Sequence, residues 1–197
     1  MNYAKIKKHD ISNGPGVRVS LYVSGCTHHC KNCFNPETWD FSFGEPFDQS
    51  AETEILEALE PTYIKGLSLL GGEPFEPQNR SELADFVKKV RERYPGKSVW
   101  CYTGYDYEKD LLTGRIGSPE SADELLSLVD VLVDGEFIEE EKVIDLRFRG
   151  SENQRIIDVP KSLESGQVVL WSKLHDQTRF IPEIYGKDRV AGEGAAS

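Results

Sequence analysis

The segment GVRVSLYVSGCTHHCKNC, residues 16–33, joins an alternating apolar stretch directly to a loop that contains three cysteines. In its first half Val17, Val19, Leu21 and Val23 alternate with Arg18, Ser20 and Tyr22. An alternation with a period of two predicts a β-strand, which here ends at the cysteine loop. Three thiols within the eight positions 26–33 make that loop the first candidate for a functional site.

The same kind of pattern continues along the chain as strands that alternate with helices. Strands are predicted at residues 64–72, 97–105 and 130–137, and helices at residues 48–60, 80–96 and 118–130. This alternation predicts an α/β fold with a mainly parallel sheet. We interpret residues 146–160 as polar and irregular and residues 166–171 as one more strand. The predicted domain covers residues 1–174, and residues 175–197, where apolar periodicity is lost, are expected to form a flexible tail.

An unusual motif follows each of the four predicted strands. GCTHHCKNC (25–33) follows the first strand, GGEP (71–74) the second, YTGY (102–105) the third and DGEF (134–137) the fourth. In parallel α/β folds the carboxyl ends of the strands gather on one side, where ligands and catalytic groups lie. The sequence therefore predicts that the four motifs build a single site.

The composition excludes some classes of binding partner and indicates the cellular compartment. The formal net charge of −11 and the sequence pI near 4.9 argue against a nucleic-acid or anionic-membrane surface, because both partners are polyanions. No apolar run approaches the roughly 20 residues that span a bilayer, and no signal-peptide pattern is present. We therefore expect a cytoplasmic protein whose thiols stay reduced and act as metal ligands or remain free.

The spacing of the cysteines favours an iron–sulfur cluster over structural zinc. Three residues separate Cys26 from Cys30 and two separate Cys30 from Cys33, with no second pair of the kind that completes a zinc site. A cluster bound by three thiolates keeps one iron open for a ligand. Cys101, inside a predicted strand, is interpreted as a small buried hydrophobe, and His28 and His29 are interpreted as solvent-facing loop residues.

These motifs together resemble a known family. Cys-x3-Cys-x2-Cys after a first strand, with GGEP after the second, resembles the radical S-adenosylmethionine superfamily. The stretches NGPGVR, CFNPETW, YTGY, VDGEF and FRGSENQRIID are similar to the activating proteins of anaerobic ribonucleoside-triphosphate reductase, and the similarity runs from about residue 1 to 158. The resemblance implies that the parallel sheet forms a small open partial (β/α) barrel.

The resemblance also implies two cofactors and the residues that bind them. Cys26, Cys30 and Cys33 would hold a 4Fe–4S cluster, and S-adenosylmethionine would chelate the fourth iron. The residues assigned to cofactor contact are Asn32, Cys33, Phe34, Gly71, Gly72 and Glu73. Glu73 would face the ammonium or sulfonium group, and either Phe34 or the backbone of residues 32–34 would hold the adenine. Tyr102, Thr103 and Tyr105 are expected either to face the same pocket or to pack in the core.

The implied mechanism is reductive cleavage, with no catalytic residue beyond the cluster ligands. A flavodoxin-type or other low-potential donor would supply one electron, releasing methionine and a 5′-deoxyadenosyl radical. The radical would take a hydrogen atom from a glycine in a loop of the anaerobic ribonucleoside-triphosphate reductase. A homodimer is implied by analogy. The docking surface could include Arg149, Gly150, Ser151, Asn153, Gln154 and Arg155, which could equally form a solvated loop ordered by its own hydrogen bonds.

Three other interpretations remain open from the sequence alone. An iron–sulfur electron carrier or redox sensor would not need a second ligand-binding turn such as GGEP, and a zinc-stabilised interaction module would need a fourth ligand. The chain could also activate another glycyl-radical enzyme. Such activating enzymes often carry an additional cysteine-rich insert, which this sequence lacks.

Overall fold

Strands and helices alternate through most of the computed structural model, which describes residues 1–116 and 119–172. The strands are β1 (Asn2–Asp10), β2 (Val17–Val23), β3 (Glu45–Pro46), β4 (Ile64–Gly71), β5 (Ser98–Tyr102), β6 (Val131–Asp134) and β7 (Arg155–Asp158). The α-helices are α1 (Gln49–Leu59), α2 (Arg80–Arg93), α3 (Pro119–Ser127) and α4 (Val159–Ser165). Short helical turns occur at Pro36–Trp39, Tyr107–Leu111 and Glu139–Glu141. The predicted tail, residues 175–197, lies outside the described residues.

Within the described residues, seven strands form one sheet in the order β3-β1-β2-β4-β5-β6-β7. The central strands β2, β4, β5 and β6 are parallel to one another, and β1, β3 and β7 add antiparallel pairings at the two sides. The prediction of an α/β fold with a mainly parallel sheet is confirmed. The sheet is not closed, and the partial barrel stays a prediction.

Three features of the sheet differ from the expectation. β1 pairs with β2 along its length although its segment was not predicted as a strand, because lysines such as Lys5 and Lys7 break the apolar alternation. Residues 155–158, predicted to be irregular, form strand β7 against β6. Residues 166–171 do not form the predicted strand, since they contribute only an isolated bridge between Leu170 and Ile157.

One face of the sheet is covered by helices and forms the apolar core. Ile55 and Leu59 of α1 and Val87 of α2 are fully buried and belong to the same cluster as Leu21 of β2 and Leu69 of β4. Each large aliphatic side chain buried in this way contributes about 1.5–3 kcal/mol to folding. The core therefore fixes the parallel strands whose carboxyl ends carry the unusual motifs.

The opposite face of the sheet contains a buried arginine. Arg18 of β2 has no exposed surface and donates hydrogen bonds to Ser68 Oγ (2.8 Å), the Leu67 carbonyl (2.7 Å) and the Ser98 carbonyl (2.9 Å). Burial lowers the pKa of Arg18 to about 10. The guanidinium group thus joins β2 to β4 and β5, which gives the arginine of NGPGVR a structural role.

The helices of the described part of the chain are all too short or too polar to cross a membrane.

Candidate functional site

The four strand-end motifs converge on one cavity of about 420 Å³. Residues from all four motifs contribute to its lining: Cys26, Cys30, Cys33, Gly71, Gly72, Glu73, Thr103, Gly104, Gly135 and Phe137. The parallel register explains the convergence, because β2, β4, β5 and β6 end on the same side of the sheet. The expectation that the motifs share one site agrees with this geometry.

The cysteine loop wraps tightly around the rim of this cavity. Its base is held by backbone hydrogen bonds from the Gly25 N–H to the Thr38 carbonyl (2.8 Å) and from the Cys33 N–H to the Cys30 carbonyl (3.1 Å). His29 and Asn32 adopt left-handed backbone angles, with φ of 53° and 56°. Such angles are uncommon outside glycine, so the loop is bent sharply at both positions and turns its three cysteines toward one space.

The donor set suits a multinuclear cluster better than a single metal ion. The three loop cysteines are free thiols, and all three line the same cavity. A structural zinc site takes four protein ligands, and the loop supplies three thiols. A 4Fe–4S cluster binds each thiolate through a different iron, and three thiolates leave one iron open.

The environment of Cys26 and Cys30 argues against a cysteine nucleophile in the loop. Burial raises the pKa of Cys26 to about 12, and burial together with the negative charge of Glu136 raises the pKa of Cys30 to about 11. A cysteine nucleophile instead requires a lowered pKa. A metal that binds these thiols displaces their protons, so the raised pKa values do not stand against a metal centre at the loop.

The GGEP turn packs directly against the base of the cysteine loop. A Cβ atom at Gly72 would lie 2.6 Å from the Gly25 carbonyl oxygen, and one at Gly71, whose φ is +106°, would lie 2.8 Å from the Val23 carbonyl oxygen. The N–H groups of Gly72 and Glu73 donate to the carbonyl groups of Val23 and Gly25, each at 2.8 Å. Both glycines are therefore required by the close approach of the two motifs.

Glu73 is buried and connects three of the motifs. Its Oε1 accepts hydrogen bonds from the Phe75 N–H and from Thr103 Oγ1, each at 2.8 Å, and its Oε2 accepts one from the Gly104 N–H at 2.7 Å. The Nε2 atom of His28 lies 3.2 Å from the same Oε2. Protein groups thus surround the carboxylate and fix its orientation within the site.

The expectation that His28 faces solvent is wrong. Only 15% of its side chain is exposed, and its ring lies against Tyr105 with the centroids 4.4 Å apart. Burial alone would lower the pKa of His28, but the neighbouring Glu73 carboxylate outweighs burial and raises it. His29 is exposed, in line with the interpretation, and stacks on Trp39 at 4.6 Å.

Two polar residues that the sequence did not point out support the cysteine loop. Glu76, only 4% exposed, accepts hydrogen bonds from the Thr27 N–H (2.8 Å) and Thr27 Oγ1 (2.6 Å). Asn79, also buried, donates to the carbonyl groups of Ser24 (3.0 Å) and Glu73 (2.9 Å). In the sequence, both residues lie between GGEP and the predicted helix, where a glutamate and an asparagine are typical of a helix start. Nothing else in the sequence indicates that they support the cysteine loop.

Comparisons with known proteins identify the family of this chain. The family model described as "4Fe-4S single cluster domain" matches residues 12–157, which include the cysteine loop and all four strand ends. An anaerobic ribonucleoside-triphosphate reductase-activating protein of Pasteurella multocida is 42% identical over 161 residues, covering 79% of this chain and 96% of that protein. The chain belongs to this activating-protein family. The resemblance inferred from the motifs is confirmed.

Other members of the activating-protein family come from a second bacterium and from a bacteriophage. The protein of Escherichia coli K12 is 40% identical over 156 residues, covering 78% of this chain and 96% of its own length. The protein of Enterobacteria phage T4 is 41% identical over 160 residues, covering 79% of this chain and 93% of its own length. The matched family and these relatives do not favour a simple electron carrier or a zinc-stabilised module.

The other residues expected to contact the cofactors differ in their position relative to the cavity. Phe34 lies at the mouth of the cavity, 63% exposed, with its ring centroid 5.0 Å from that of Phe137. Asn32 is exposed and is absent from the described residues that line the cavity. Tyr102 and Thr103 line the cavity, whereas Tyr105 packs on His28. The cofactor roles of these residues stay predictions.

Cys101 of this family member lies apart from the loop cysteines. It is fully buried in β5 and belongs to the apolar core. Burial raises its pKa far above the ordinary value for a thiol. This environment agrees with its interpretation as a small buried hydrophobe.

The polar run at residues 149–155 borders the cavity and is ordered by internal contacts. Arg149, Gly150 and Gln154 line the cavity, and the Gly150 N–H donates to Gln154 Oε1 at 2.7 Å. Ser151 is fully buried. Arg155 donates from Nε to Asp134 Oδ1 at 3.0 Å and so neutralises part of the acidic group formed by Asp106, Glu108 and Asp134. The docking role of this run stays a prediction.

Proposed function

We propose that this chain activates an anaerobic ribonucleoside-triphosphate reductase by generating a glycyl radical on it. The observation that carries the proposal is the convergence of the cysteine loop, GGEP and YTGY on one cavity, in a chain 40–42% identical to such activating proteins. When both cofactors are bound, reductive cleavage of S-adenosylmethionine at the 4Fe–4S cluster supplies the 5′-deoxyadenosyl radical that takes a hydrogen atom from glycine.

The residues of the site divide into those that bind and those that orient. Cys26, Cys30 and Cys33 would hold the cluster, and three protein ligands keep one iron available to S-adenosylmethionine. The backbone of the GGEP turn and residues 32–34 would contact S-adenosylmethionine. Glu73 holds the GGEP and YTGY turns in register through its hydrogen bonds to Thr103 and Gly104. The protein thus supplies position, and the cofactors supply the reactive group.

Apolar side chains give the cavity a second task, which is to limit the access of water and oxidants. Leu70 lies on the sheet, and Phe137, Leu146 and Phe148 lie on the segment that follows β6. Exclusion of water protects a reactive intermediate from side reactions. This lining supports a site that handles a radical.

We propose that the reductase reaches the cavity across an apolar rim formed by Phe34, Ile138, Val143 and Ile144. Their exposed fractions are 63%, 36%, 37% and 92%, and Phe34 contacts Phe137 at the cavity mouth. Contiguous exposed apolar residues are typical of protein interaction sites. The polar run at residues 149–155 would lie on the same side, since Gly150 faces Phe34 and Phe137.

Further parts of the proposal concern the setting of the reaction. A flavodoxin-type or other low-potential donor would reduce the cluster, and the chain could act as a homodimer. The free thiols of the described residues support a reducing compartment such as the cytoplasm. The convergence of four strand ends on one cavity supports an open partial barrel around it.

The deciding experiment uses the anaerobically reconstituted full chain with the reductase, S-adenosylmethionine and a chemical reductant. We expect 5′-deoxyadenosine to form and the electron paramagnetic resonance spectrum of the reductase to show a glycyl radical. 5′-Deoxyadenosine without a radical on the reductase would point to another glycyl-radical enzyme as the partner. A reduced, iron-loaded protein that forms no 5′-deoxyadenosine would overturn radical chemistry in favour of electron transfer.

A further inference from the structure

A second cavity, of about 730 Å³, lies at the end of the sheet opposite the cysteine loop. Its lining includes residues at the start of the parallel strands, such as Lys65 of β4, Ser98 of β5 and Val131 of β6. Leu70, which lines the cavity beside the cysteine loop, follows Lys65 by five positions on the same strand. At about 3.3 Å per residue, roughly 17 Å of strand separates the two cavities. We call the second one the basal cavity.

Basic side chains outnumber acidic ones around the basal cavity. Five lysine and arginine side chains line it, together with two aspartates. Both aspartates are already paired, since Asp130 lies 2.9 Å from Arg91 and Asp158 lies 2.7 Å from Lys161. The lining therefore carries an excess of positive charge, although the whole chain has a net charge of −11.

The other three basic side chains of the lining form no ion pair with the described residues. Arg18 is bonded to neutral groups of β4 and β5, and Lys97 Nζ donates to the carbonyl groups of Pro61 (3.0 Å) and Ile64 (2.8 Å). Lys65 follows Ile64 directly and is exposed. Burial, with the positive charge of Lys65, lowers the pKa of Lys97. An anion bound between the two lysines would offset this repulsion.

The lining suits a small ligand that carries several negative charges. Lys97 has one N–H left to donate, and Lys65 has three, so both can bond the oxygen atoms of a phosphate chain. Arg18 has no exposed surface and acts through its charge alone. Trp171 also lines the cavity, with its ring centroid 4.9 Å from that of Trp100, and adds an aromatic surface. The volume falls within the roughly 300–1,000 Å³ of small-molecule sites.

The composition of the C-terminal segment argues against it as the missing counter-charge. Residues 173–197, which follow Trp171 and the next residue, lie outside the described residues. They contain four lysines and arginines and four aspartates and glutamates, so the segment has no net charge. A separate anionic ligand matches the excess positive charge better.

We propose that the basal cavity is a binding site for the polyphosphate group of a small ligand, which Lys65 and Lys97 contact in the field of Arg18. The site is independent of the proposed radical chemistry, because it lies at the other end of the sheet. Inorganic polyphosphate and a nucleoside triphosphate carry the same group, and a nucleotide would add stacking of its base on Trp171.

The test measures the binding of ATP and of inorganic tripolyphosphate to the anaerobically reconstituted full chain by isothermal titration calorimetry. Saturating S-adenosylmethionine is present without a reductant, so the cofactor cavity cannot accept the adenosine group of ATP. We expect a Kd of about 0.1–1 mM at low ionic strength, which rises with added KCl because salt screens the attraction. Tighter binding of ATP would identify a nucleotide as the ligand, and equal binding would identify free polyphosphate.

Variants of single lysines locate the binding site. Lys65→Gln should raise the Kd about three- to tenfold, as for one lost charge-assisted contact at an exposed position, whereas Lys65→Arg keeps the charge and should bind nearly as wild type does. Lys89→Gln, on α2 outside both cavities, makes the same change in net charge and should leave the Kd unchanged.

Three results would overturn the polyphosphate site. They are no binding of either probe, equal Kd values for Lys65→Gln and Lys89→Gln, and binding that occurs only when S-adenosylmethionine is left out. The last result would place the probe in the cofactor cavity. Because the measurement is binding and not radical formation, its failure leaves the proposed function untouched.

Discussion

Four cysteines of one chain occupy two different chemical settings. Cys26, Cys30 and Cys33 line the cavity, whereas Cys101 packs in the apolar core on β5. A thiolate that binds iron cannot be replaced by a methyl group, but a buried sulfur that only fills space can be replaced with a modest loss of packing. The position of the thiol therefore decides its function.

Alanine substitution of each cysteine separates these two settings. We expect Cys26→Ala, Cys30→Ala and Cys33→Ala each to abolish 5′-deoxyadenosine formation in the reconstituted protein. Cys101→Ala should largely spare this activity and lower the free energy of unfolding by about 1 kcal/mol. Product analysis and chemical unfolding measure the two effects. Equal loss of activity in all four variants would mean that Cys101 is a fourth ligand and that no iron is open.

The residue-level chemistry was more accessible from the sequence than the support around it. The cysteine spacing and GGEP are local patterns, so they predict a ligand-binding site without knowledge of the fold. The burial of His28 depends on Glu73 and Tyr105, which are distant in sequence, and no local pattern carries that information. The same reason applies to Glu76, which accepts a hydrogen bond from Thr27, 49 positions away in the chain. No local pattern in the sequence predicts this contact.

At the scale of elements, α2 and the cysteine loop are joined through Glu76 just before the helix. Glu76→Ala removes the acceptor of the Thr27 N–H and hydroxyl groups, so the loop should hold the cluster less firmly. We expect iron loss to a chelator to be several-fold faster than in wild type. Glu76→Gln keeps an acceptor oxygen and should show a smaller effect.

The matched control for this support is Glu92→Ala, an exposed glutamate on α2 itself. The Glu92→Ala variant should retain iron as wild type does, since Glu92 lies on α2 and away from the cysteine loop. Iron content after reconstitution and the rate of bleaching with chelator give the comparison. Equal retention in Glu76→Ala and Glu92→Ala would remove Glu76 from the support of the cysteine loop.

Arg18 joins three strands, and its replacement tests whether the polar face of the sheet is a structural unit. Lysine has one terminal nitrogen, so it cannot reach Ser68 Oγ and the carbonyl groups of Leu67 and Ser98 together. Arg18→Lys should therefore destabilise the cofactor-free chain by about 2–3 kcal/mol. The midpoint of urea unfolding measures this loss. Arg93→Lys, at the exposed end of α2, should leave the midpoint unchanged. A wild-type midpoint for Arg18→Lys would show that the hydrogen bonds of Arg18 contribute little to folding.

The elements themselves could be predicted where burial imposes a simple pattern. β2 alternates apolar and polar residues, and β4 is a short, mainly apolar run that ends at a glycine, so the sequence predicts both with nearly correct ends. β1 places lysines on its exposed positions, and β7 has only four residues, two of them charged. Neither strand carries enough of the apolar period to be distinguished from a polar segment.

At the scale of the whole molecule, the acidic chain carries exposed apolar side chains on the segment that follows β6, where the reductase is proposed to dock. The net charge is −11, and Glu139, Glu140 and Glu141 lie next to the exposed residues Ile138 and Val143. Apolar residues supply contact area at an interface, and surrounding charges steer the approach of a partner. Because Glu139 and Glu140 are already paired with Lys142 and Lys31, a partner that docks here is expected to present mainly an apolar patch.

Ile144 is the most sensitive position for testing this docking surface. Its side chain is 92% exposed, so Ile144→Asp removes apolar contact area without disturbing the core. Burial of one such side chain at an interface corresponds to roughly a tenfold change in affinity. We expect the KM for the reductase to rise by about that factor while 5′-deoxyadenosine formation without the reductase is unchanged.

Leu163→Asp makes the same change at an exposed position on α4 and controls for the added charge. If both variants raise the KM equally, the effect comes from charge alone and the rim is not the docking surface. An effect confined to Ile144→Asp would assign Ile144 to the docking surface.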